Sequence, residues 1–380
     1  MSFPEEPLDL PPSEGGGYYP ATIHQKLNVG RLEVVRKLGY GPRSSVWLVW
    51  DGEDYFTVKI YTIAASEHAK TVELPILKVV HDLDASIRLP TYHDKFWEKT
   101  TAGSHLCLVL NPMSTTVRAL QHDANHERLP VHAVQNIVLT VADALECLHS
   151  VGIMHGAIKP ENIYFSTATQ TEYLKPVLDS EPPPTIKKIK EYLTVISQPL
   201  SHGFKWTDKR EDVADWGLYL DGFGHAQQSN YEPEKKGDYS FAPETLLQSA
   251  SCSPQTDIWM LGYMTFYLLT GKSPFFTKPT VSKTIAHLSG VLGESIDSIP
   301  SSWLNDAKMK DYHAVTSGES YGSTIEASLS DVLHEDDVVG AAAFIKACLR
   351  MDPEKRVSAT EASENEWLAE ANACSCGFCM

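Results

Sequence analysis

The chain has few cysteines, no long apolar run and a deficit of positive charge. Seven of its 380 residues are cysteine, too few and too scattered for a disulfide scaffold. No run of about 18 apolar residues appears, so the sequence predicts no membrane-spanning helix. The first 17 residues lack the basic and apolar blocks of a signal peptide, and we therefore expect a cytoplasmic or nuclear location.

The charge balance is strongly acidic. Asp and Glu number 49 against 32 Lys and Arg, which gives a formal net charge of −17. Such a surface repels phosphate backbones, which argues against direct nucleic-acid binding. It would attract basic polypeptides, although a merely solvated acidic surface is an equally valid interpretation of the charge alone.

The cysteines fall into two groups. Three of them, Cys374, Cys376 and Cys379, lie in residues 371–380, which we interpret as a disordered tail because no His or Cys cluster accompanies them as zinc ligands. The other four lie in apolar stretches and are typical of small buried hydrophobic residues: Cys107, Cys147, Cys252 and Cys348.

Hydrophobic periodicity divides the chain into a β-rich part followed by a helical part. Alternation predicts strands within residues 31–61 and 105–110. A period of 3.6 predicts helices over residues 67–83 (with Pro75 early or at a kink), 131–150, 257–270, 283–292 and 338–349. Two polar stretches, residues 166–210 and 305–337, exceed ordinary loops and are expected to be functional or partly disordered. The pattern predicts an α+β, two-lobed fold.

The strand region carries a candidate phosphate-binding turn and a candidate ion pair. Gly39-Tyr-Gly41 lies between two strands, where glycine lets backbone amides approach a triphosphate. Lys59 follows inside an apolar strand, and Glu73 in the next helix is its natural partner. Each feature alone has a plain structural interpretation, a turn and an ion pair.

Five later sequence motifs change that interpretation because of their order along the chain. They are His149-Ser-Val-Gly-Ile-Met-His155-Gly-Ala157-Ile-Lys159-Pro-Glu-Asn162, Ala214-Asp215-Trp216-Gly217, Ala242-Pro243-Glu244, Thr256-Asp257-Ile-Trp259 and Met351-Asp352-Pro-Glu-Lys-Arg356. In order and spacing the series resembles the eukaryotic protein-kinase signature set. Gly17-Tyr-Tyr-Pro20 and Val46-Trp47-Leu48 are similar to serine/arginine-rich-protein kinases of the fungal type, as is the position of the proline-rich insert.

The resemblance implies a bilobal protein-kinase fold with defined boundaries. We expect residues 1–18 to be a disordered tail, 19–113 the β-rich small lobe, and 114–370 the helical large lobe with inserts at about 166–210 and 305–337.

The resemblance also implies a binding site for ATP and Mg²⁺. Gly39, Gly41 and Val46 would cover the nucleotide, and Lys59, held by Glu73, would contact its α and β phosphates. Magnesium would be held by Asn162 and Asp215, and Lys159 would steady the γ-phosphate. Structural roles are implied for His155, Gly217, Glu244, Asp257 and Arg356, with Glu244 and Arg356 as a buried ion pair.

The sequence departs from this pattern where the substrate hydroxyl should be activated. The catalytic aspartate of the resembling kinases corresponds to Ala157, which has no proton acceptor, and the preceding residue is Gly156. Before Ala-Pro-Glu, the stretch that contacts substrate has Gly237, Ser240 and Phe241 in place of the usual residues. Glu161 is close in sequence but is expected to point away from the position of the base.

Three functions remain open on these residues. The favoured one is a pseudokinase scaffold that binds ATP and Mg²⁺ with weak or absent phosphotransfer. The second is a weakly active serine/threonine kinase on basic Arg/Ser-rich protein segments, which are the partners implied by the resemblance and suited to the acidic charge. The third is an interaction module that binds no nucleotide.

Overall fold

The computed structural model describes residues 5–83, 88–228, 230–232, 239–248, 250–312, 323–369 and 371. The chain divides into two compact units. Unit 1 comprises Met1–Thr115 and Tyr164–Gly203, and unit 2 comprises Thr116–Ile163 and Phe204–Met380. Gly237 and the cysteines Cys374, Cys376 and Cys379 lie outside the described residues.

Unit 1 is built on a six-stranded antiparallel sheet in the order β1-β2-β3-β4-β6-β5. One face of this sheet packs over an apolar core that includes Trp47, Val58, Ile60 and Cys107. The strands of the chain are β1 Lys26–Leu27, β2 Leu32–Gly41, β3 Ser44–Trp50, β4 Tyr55–Tyr61, β5 Tyr92–Lys99, β6 Ser104–Leu110, β7 Met113–Thr116, β8 Ile163–Ser166, β9 Ile186–Ile189, β10 Tyr192–Val195 and β11 Leu218–Leu220.

The helices confirm the division into a β-rich and a helical part. They are α1 Ile63–Thr71, α2 Glu73–Asp82, α3 Val117–Asp123, α4 Val131–Ser150, α5 Thr171–Ser180, α6 Arg210–Val213, α7 Pro243–Leu246, α8 Pro254–Thr270, α9 Val281–Leu292, α10 Ser301–Leu304, α11 Ile325–Ser330, α12 Glu335–Cys348, α13 Ala359–Ser363 and α14 Glu366–Ala369. The predicted α+β class is confirmed.

The helix predicted over residues 67–83 is two helices. Val72 lies between α1 and α2 with φ −112° and ψ −66°, outside regular helical geometry. Pro75 falls in the first turn of α2, where a missing backbone N–H costs no intrahelical hydrogen bond. The proline is therefore accommodated by starting a new helix at Glu73.

The stretch 166–210, expected to be irregular, contains regular structure and belongs mainly to unit 1. Helix α5 buries Leu174 against Leu48, Tyr55 and Leu200. Strands β9 and β10 form an antiparallel hairpin across a two-residue turn. Residues 164–203, which the prediction places as an insert in the large lobe, are grouped with the sheet in unit 1.

The N-terminal segment also differs from expectation. Composition predicts a disordered tail over residues 1–18, but from residue 5 onwards the segment is described, and Glu5, Glu6, Tyr18 and the following Tyr19 are buried. Their burial depends on long-range contacts within unit 1, which composition does not reveal.

Unit 2 is helical and has α4 at its centre. Helix α4 packs against α8 and α13, and α8 also packs against α12. Among the described residues, α4 alone is long and apolar enough to pass a test for a membrane span, but 67% of its most apolar window is buried in the fold. This burial is what the core helix of a folded unit requires.

Candidate functional site

The hairpin of β2 and β3 carries the two glycines predicted to cover a nucleotide. Gly39 pairs with Val46 and Gly41 pairs with Ser44, and Val46 in turn pairs with Lys59 of β4. A Cβ atom built on Gly39 or Gly41 would meet nothing within 4 Å. The hairpin therefore leaves open space at the positions where phosphate oxygens would approach its backbone.

Lys59 and Glu73 form the predicted ion pair within unit 1. Lys59 Nζ lies 2.5 Å from Glu73 Oε1, and the glutamate is buried. Burial would raise the pKa of Glu73, but the ammonium of Lys59 outweighs it and holds the pKa below its usual value. The carboxylate thus stays ionised and fixes the lysine, which is the arrangement needed for a cation that contacts phosphate.

In unit 2, Asp257 shapes the loop that carries Ala157. Its carboxylate accepts hydrogen bonds from the backbone N–H of His155 (2.7 Å) and of Gly156 (2.8 Å), and from His149 Nε2 (3.0 Å). Gly156 has φ +73°, and a Cβ there would lie 2.7 Å from the backbone oxygen of His225. A larger residue at position 156 is therefore incompatible with this loop conformation.

The predicted base position holds a buried methyl group. Ala157 is 2% exposed, and its backbone oxygen accepts a hydrogen bond from Asn162 Nδ2 at 2.8 Å. Its N–H donates to His155 Nδ1 at 3.2 Å, so His155 Nε2 carries the proton and donates to the backbone oxygen of Asp221 at 3.2 Å. The loop geometry is complete without a proton acceptor at residue 157.

Asn162 contacts a glycine that sequence reasoning missed. Gly222 has φ +98°, and a Cβ built on it would lie 2.5 Å from Asn162 Cγ. The backbone N–H of the preceding Asp221 donates to the backbone oxygen of Asn162 at 2.8 Å. The segment that follows β11 therefore lies directly against Asn162, and at its closest point it has no side chain to offer a metal.

Asp215, the predicted partner of Asn162 on magnesium, lies on the other side of β11. Its N–H bonds to the oxygen of Asp212 at 3.2 Å in the turn after α6, and Gly217 directly precedes the strand. Strand β11, three residues at about 3.3 Å each, spans about 10 Å, and Asp215 lies before it while Asp221, the residue beside Asn162, lies after it. The assignment of Asp215 stays a prediction, and this geometry counts against it.

The donor set near Asn162 therefore does not match a magnesium site of the predicted kind. Magnesium is usually held through one or two carboxylates together with phosphate and water oxygens. Gly222 supplies no carboxylate, and within the described part of the chain no group of three His, Cys, Asp or Glu side chains is arranged to hold a metal. The pair of Asn162 and Asp215 implied by the resemblance is therefore not brought together at Gly222, and magnesium binding stays a prediction.

Lys159 lines a cavity in unit 2. The cavity has a volume of about 270 Å³ and is lined by Ile158, Lys159, Pro160, Glu161, Ser240, Tyr263, Met264 and Tyr267. Glu161 is paired with Arg118, whose Nε lies 3.8 Å from Glu161 Oε1, which agrees with the expectation that it does not replace the missing base. Ser240 and Phe241 both have positive φ, 49° and 63°, a strained backbone at this wall.

Glu244 and Arg356 are brought together as the resemblance implies. The guanidinium contacts the carboxylate through two hydrogen bonds, of 2.7 Å and 2.8 Å, and both side chains are buried. Burial acts to raise the pKa of Glu244, but Arg356 overrides it and the pKa lies below its usual value. Such a bidentate pair fixes the start of α7 against the segment that precedes α13.

Comparison with known proteins assigns the family. The protein kinase domain family matches residues 32–177 and 210–368, so the chain belongs to that family. The unmatched residues between these two segments lie within the insert of residues 166–210. A crystal structure of a kinase domain superposes with a TM-score of 0.66 at 19% identity, covering 93% of this chain and 99% of that one. This likeness confirms the kinase fold.

Two curated relatives show which kinases the chain is similar to. SRSF protein kinase 3 of Mus musculus is 36% identical over 156 residues, which span 39% of this chain and 27% of the relative. A serine/threonine protein kinase of Aspergillus fumigatus is 26% identical over 373 residues, spanning 94% of this chain and 89% of the relative. The chain thus matches only about a quarter of the length of the SRSF kinase.

Proposed function

We propose that this chain is a pseudokinase: a protein-kinase homologue that binds ATP but transfers its phosphate poorly or not at all. The observation that carries the proposal is the buried methyl group of Ala157 in an otherwise assembled loop. A positioned general base contributes roughly 10²- to 10⁴-fold to such a reaction, and an alanine contributes none of it.

Nucleotide binding is supported by the residues of unit 1. The open hairpin at Gly39 and Gly41 and the Lys59–Glu73 pair supply backbone amides and a fixed cation. A purely structural role does not require both features, which favours ATP binding over a nucleotide-free interaction module. Bound ATP supplies the phosphate oxygens that these groups would hold.

The binding partner we propose is a basic, Arg/Ser-rich protein segment. Support comes from the net charge of −17 and from similarity to kinases named for SRSF proteins. Weak transfer to such a segment is the second candidate function, because positioning and electrostatic terms survive the loss of one catalytic group. It is favoured by the intact position of Lys159 beside the cavity.

A thermal-shift measurement tests nucleotide binding. ATP at 100-fold its Kd stabilises a native state by about 2.7 kcal/mol, so the unfolding midpoint of the full chain should rise with ATP. Lys59→Met should abolish the rise, because the cation of the phosphate site is lost. Lys70→Met is the matched control, since Lys70 is an exposed lysine paired with the exposed Glu67.

Chelating magnesium with EDTA tests whether nucleotide binding depends on the metal ion. Because Gly222 offers no carboxylate, we expect the shift to persist in EDTA. A shift that requires magnesium would contradict this expectation. No shift at millimolar ATP would favour the nucleotide-free module.

A further inference from the structure

The N-terminal segment contributes two glutamates to a buried charge cluster in unit 1. Lys37, in β2, is 0% exposed, and its ammonium contacts the carboxylates of Glu5, at 2.5 Å, and of Glu6. Both glutamates are buried as well. A buried ammonium that loses its carboxylate partner is strongly destabilising, so this contact is energetically coupled to the position of the segment.

The surroundings of Lys37 form a built site and not a single ion pair. Its ammonium also donates to the backbone oxygen of Val195 at 3.1 Å. Ser197 donates to Glu5 twice, from its N–H and its hydroxyl, each at 2.8 Å. The rings of Tyr40 and Trp47 lie 5.3 Å and 5.8 Å from the ammonium. Residues of β2, β3 and the insert thus converge on two acidic side chains.

The same contacts restrain the strand that leads into the glycine hairpin. The N–H of Gln198 donates to the backbone oxygen of Lys37 at 2.8 Å. Two residues beyond Gly39, the oxygen of Gly41 accepts a hydrogen bond of 2.7 Å from Tyr18, which belongs to the N-terminal segment. The position of β2 is therefore coupled to whether the segment is in place.

The charges in the cluster do not balance. Two carboxylates face one ammonium, and burial, together with the neighbouring Glu5, raises the pKa of Glu6 despite Lys37. One carboxylate suffices to neutralise Lys37, and Glu5 is the better held of the two because of Ser197. The segment precedes β1, so it can leave the site without unpairing any strand of the six-stranded sheet.

We propose that unit 1 has a binding site for acidic peptides, centred on Lys37, which the chain fills with its own Glu5 and Glu6. Residues 5–10 then act as an N-terminal latch that holds β2 in place. An acidic segment in trans binds the same site when the latch is open. The proposal does not rest on nucleotide binding, and its test uses no nucleotide.

The test compares variants of the full chain by amide hydrogen exchange and by peptide binding. In Glu5→Gln/Glu6→Gln, Lys37 loses both counter-charges, so amides of residues 32–41 should exchange at least about tenfold faster. A labelled peptide of residues 1–12 should bind this variant and not the wild type, more weakly as salt rises. Glu6→Gln should keep wild-type protection, because Glu5 still neutralises Lys37.

Two further variants make every outcome decisive. Glu14→Gln removes an exposed charge of the same segment and should change nothing. Glu5→Gln/Glu6→Gln/Lys37→Met removes the orphaned cation as well, and should regain protection without binding the peptide. If the double variant does not fold while this triple variant does, the charge coupling is upheld. A triple variant as labile as the double, or a double variant that matches wild type and ignores the peptide, overturns the proposal.

Discussion

At Ala157 the backbone keeps hydrogen bonds that need no carboxylate side chain. Its N–H and C=O are held by His155 and Asn162, and the two preceding N–H groups are held by Asp257. The loss of the acidic side chain therefore removes chemistry without removing the loop. The identity of residue 157 alone predicted the loss of the proton acceptor.

At Gly222 the sequence alone leaves the metal-binding triplet ambiguous. The triplet Asp215-Trp-Gly217 matched the expected metal-binding pattern, while the chain offers a second candidate, Asp221-Gly-Phe-Gly224, directly after β11. The pairing of Asp221 with the backbone of Asn162 distinguishes them, and that is a tertiary contact. An available signal was the alternation Leu218-Tyr-Leu220, which predicts a strand before the second candidate.

His155 makes unfolding sensitive to acid. Burial lowers the pKa of His155 to about 4, although Asp257 opposes it. The neutral imidazole of His155 makes its full contribution to the free energy of unfolding above the unfolded pKa of about 6.5. This contribution is lost as the pH falls from there towards 4. Between pH 7 and pH 5 the loss should be about 2 kcal/mol.

The measurement is the pH dependence of the free energy of unfolding, in wild type and in His155→Gln. Glutamine keeps an N–H donor for Asp221 but cannot titrate, so the variant should lose less stability on acidification. Equal losses in both proteins would show that other groups, such as His93 and His105, whose pKa values burial also lowers, account for the effect.

At the scale of elements, local periodicity predicted what is stabilised locally. The helix expected over residues 131–150 is α4 with the same bounds, and the strands of the β2–β4 region follow the predicted alternation. The insert was not predicted, although Leu174, Val177 and Leu178 have helical spacing and pack against one cluster. Its proline-rich composition obscured a period that extends over only ten residues.

Helix α5 provides a test of whether the insert is an integral part of unit 1. Leu174→Ala should cost about 2–5 kcal/mol, because it removes a fully buried side chain from a packed cluster. Tyr173→Ala is the matched control: it is the adjacent residue, 63% exposed, and should change stability by about 0.5 kcal/mol or less. Urea denaturation midpoints measure both, and similar losses in the two variants would mean that α5 is not anchored through Leu174.

At the scale of the whole molecule, the nucleotide side and the substrate side have diverged. Unit 1 keeps the glycine hairpin and the Lys59–Glu73 pair, whereas unit 2 has Ala157 at the position of the expected base and Gly222 directly beside Asn162. The spacing of the sequence motifs predicted the family-level fold. It did not predict that the N-terminal segment and the insert both pack on β2, because these contacts join residues more than 30 positions apart.

Phosphate transfer from ATP to an Arg/Ser-repeat peptide by the wild-type chain, with and without magnesium, decides whether the protein is a pseudokinase. We expect transfer at background, and in Ala157→Asp as well, because Gly222 still provides no carboxylate beside Asn162. Turnover by wild type near 1 s⁻¹, at the lower end for protein kinases, would contradict the account and establish an active enzyme.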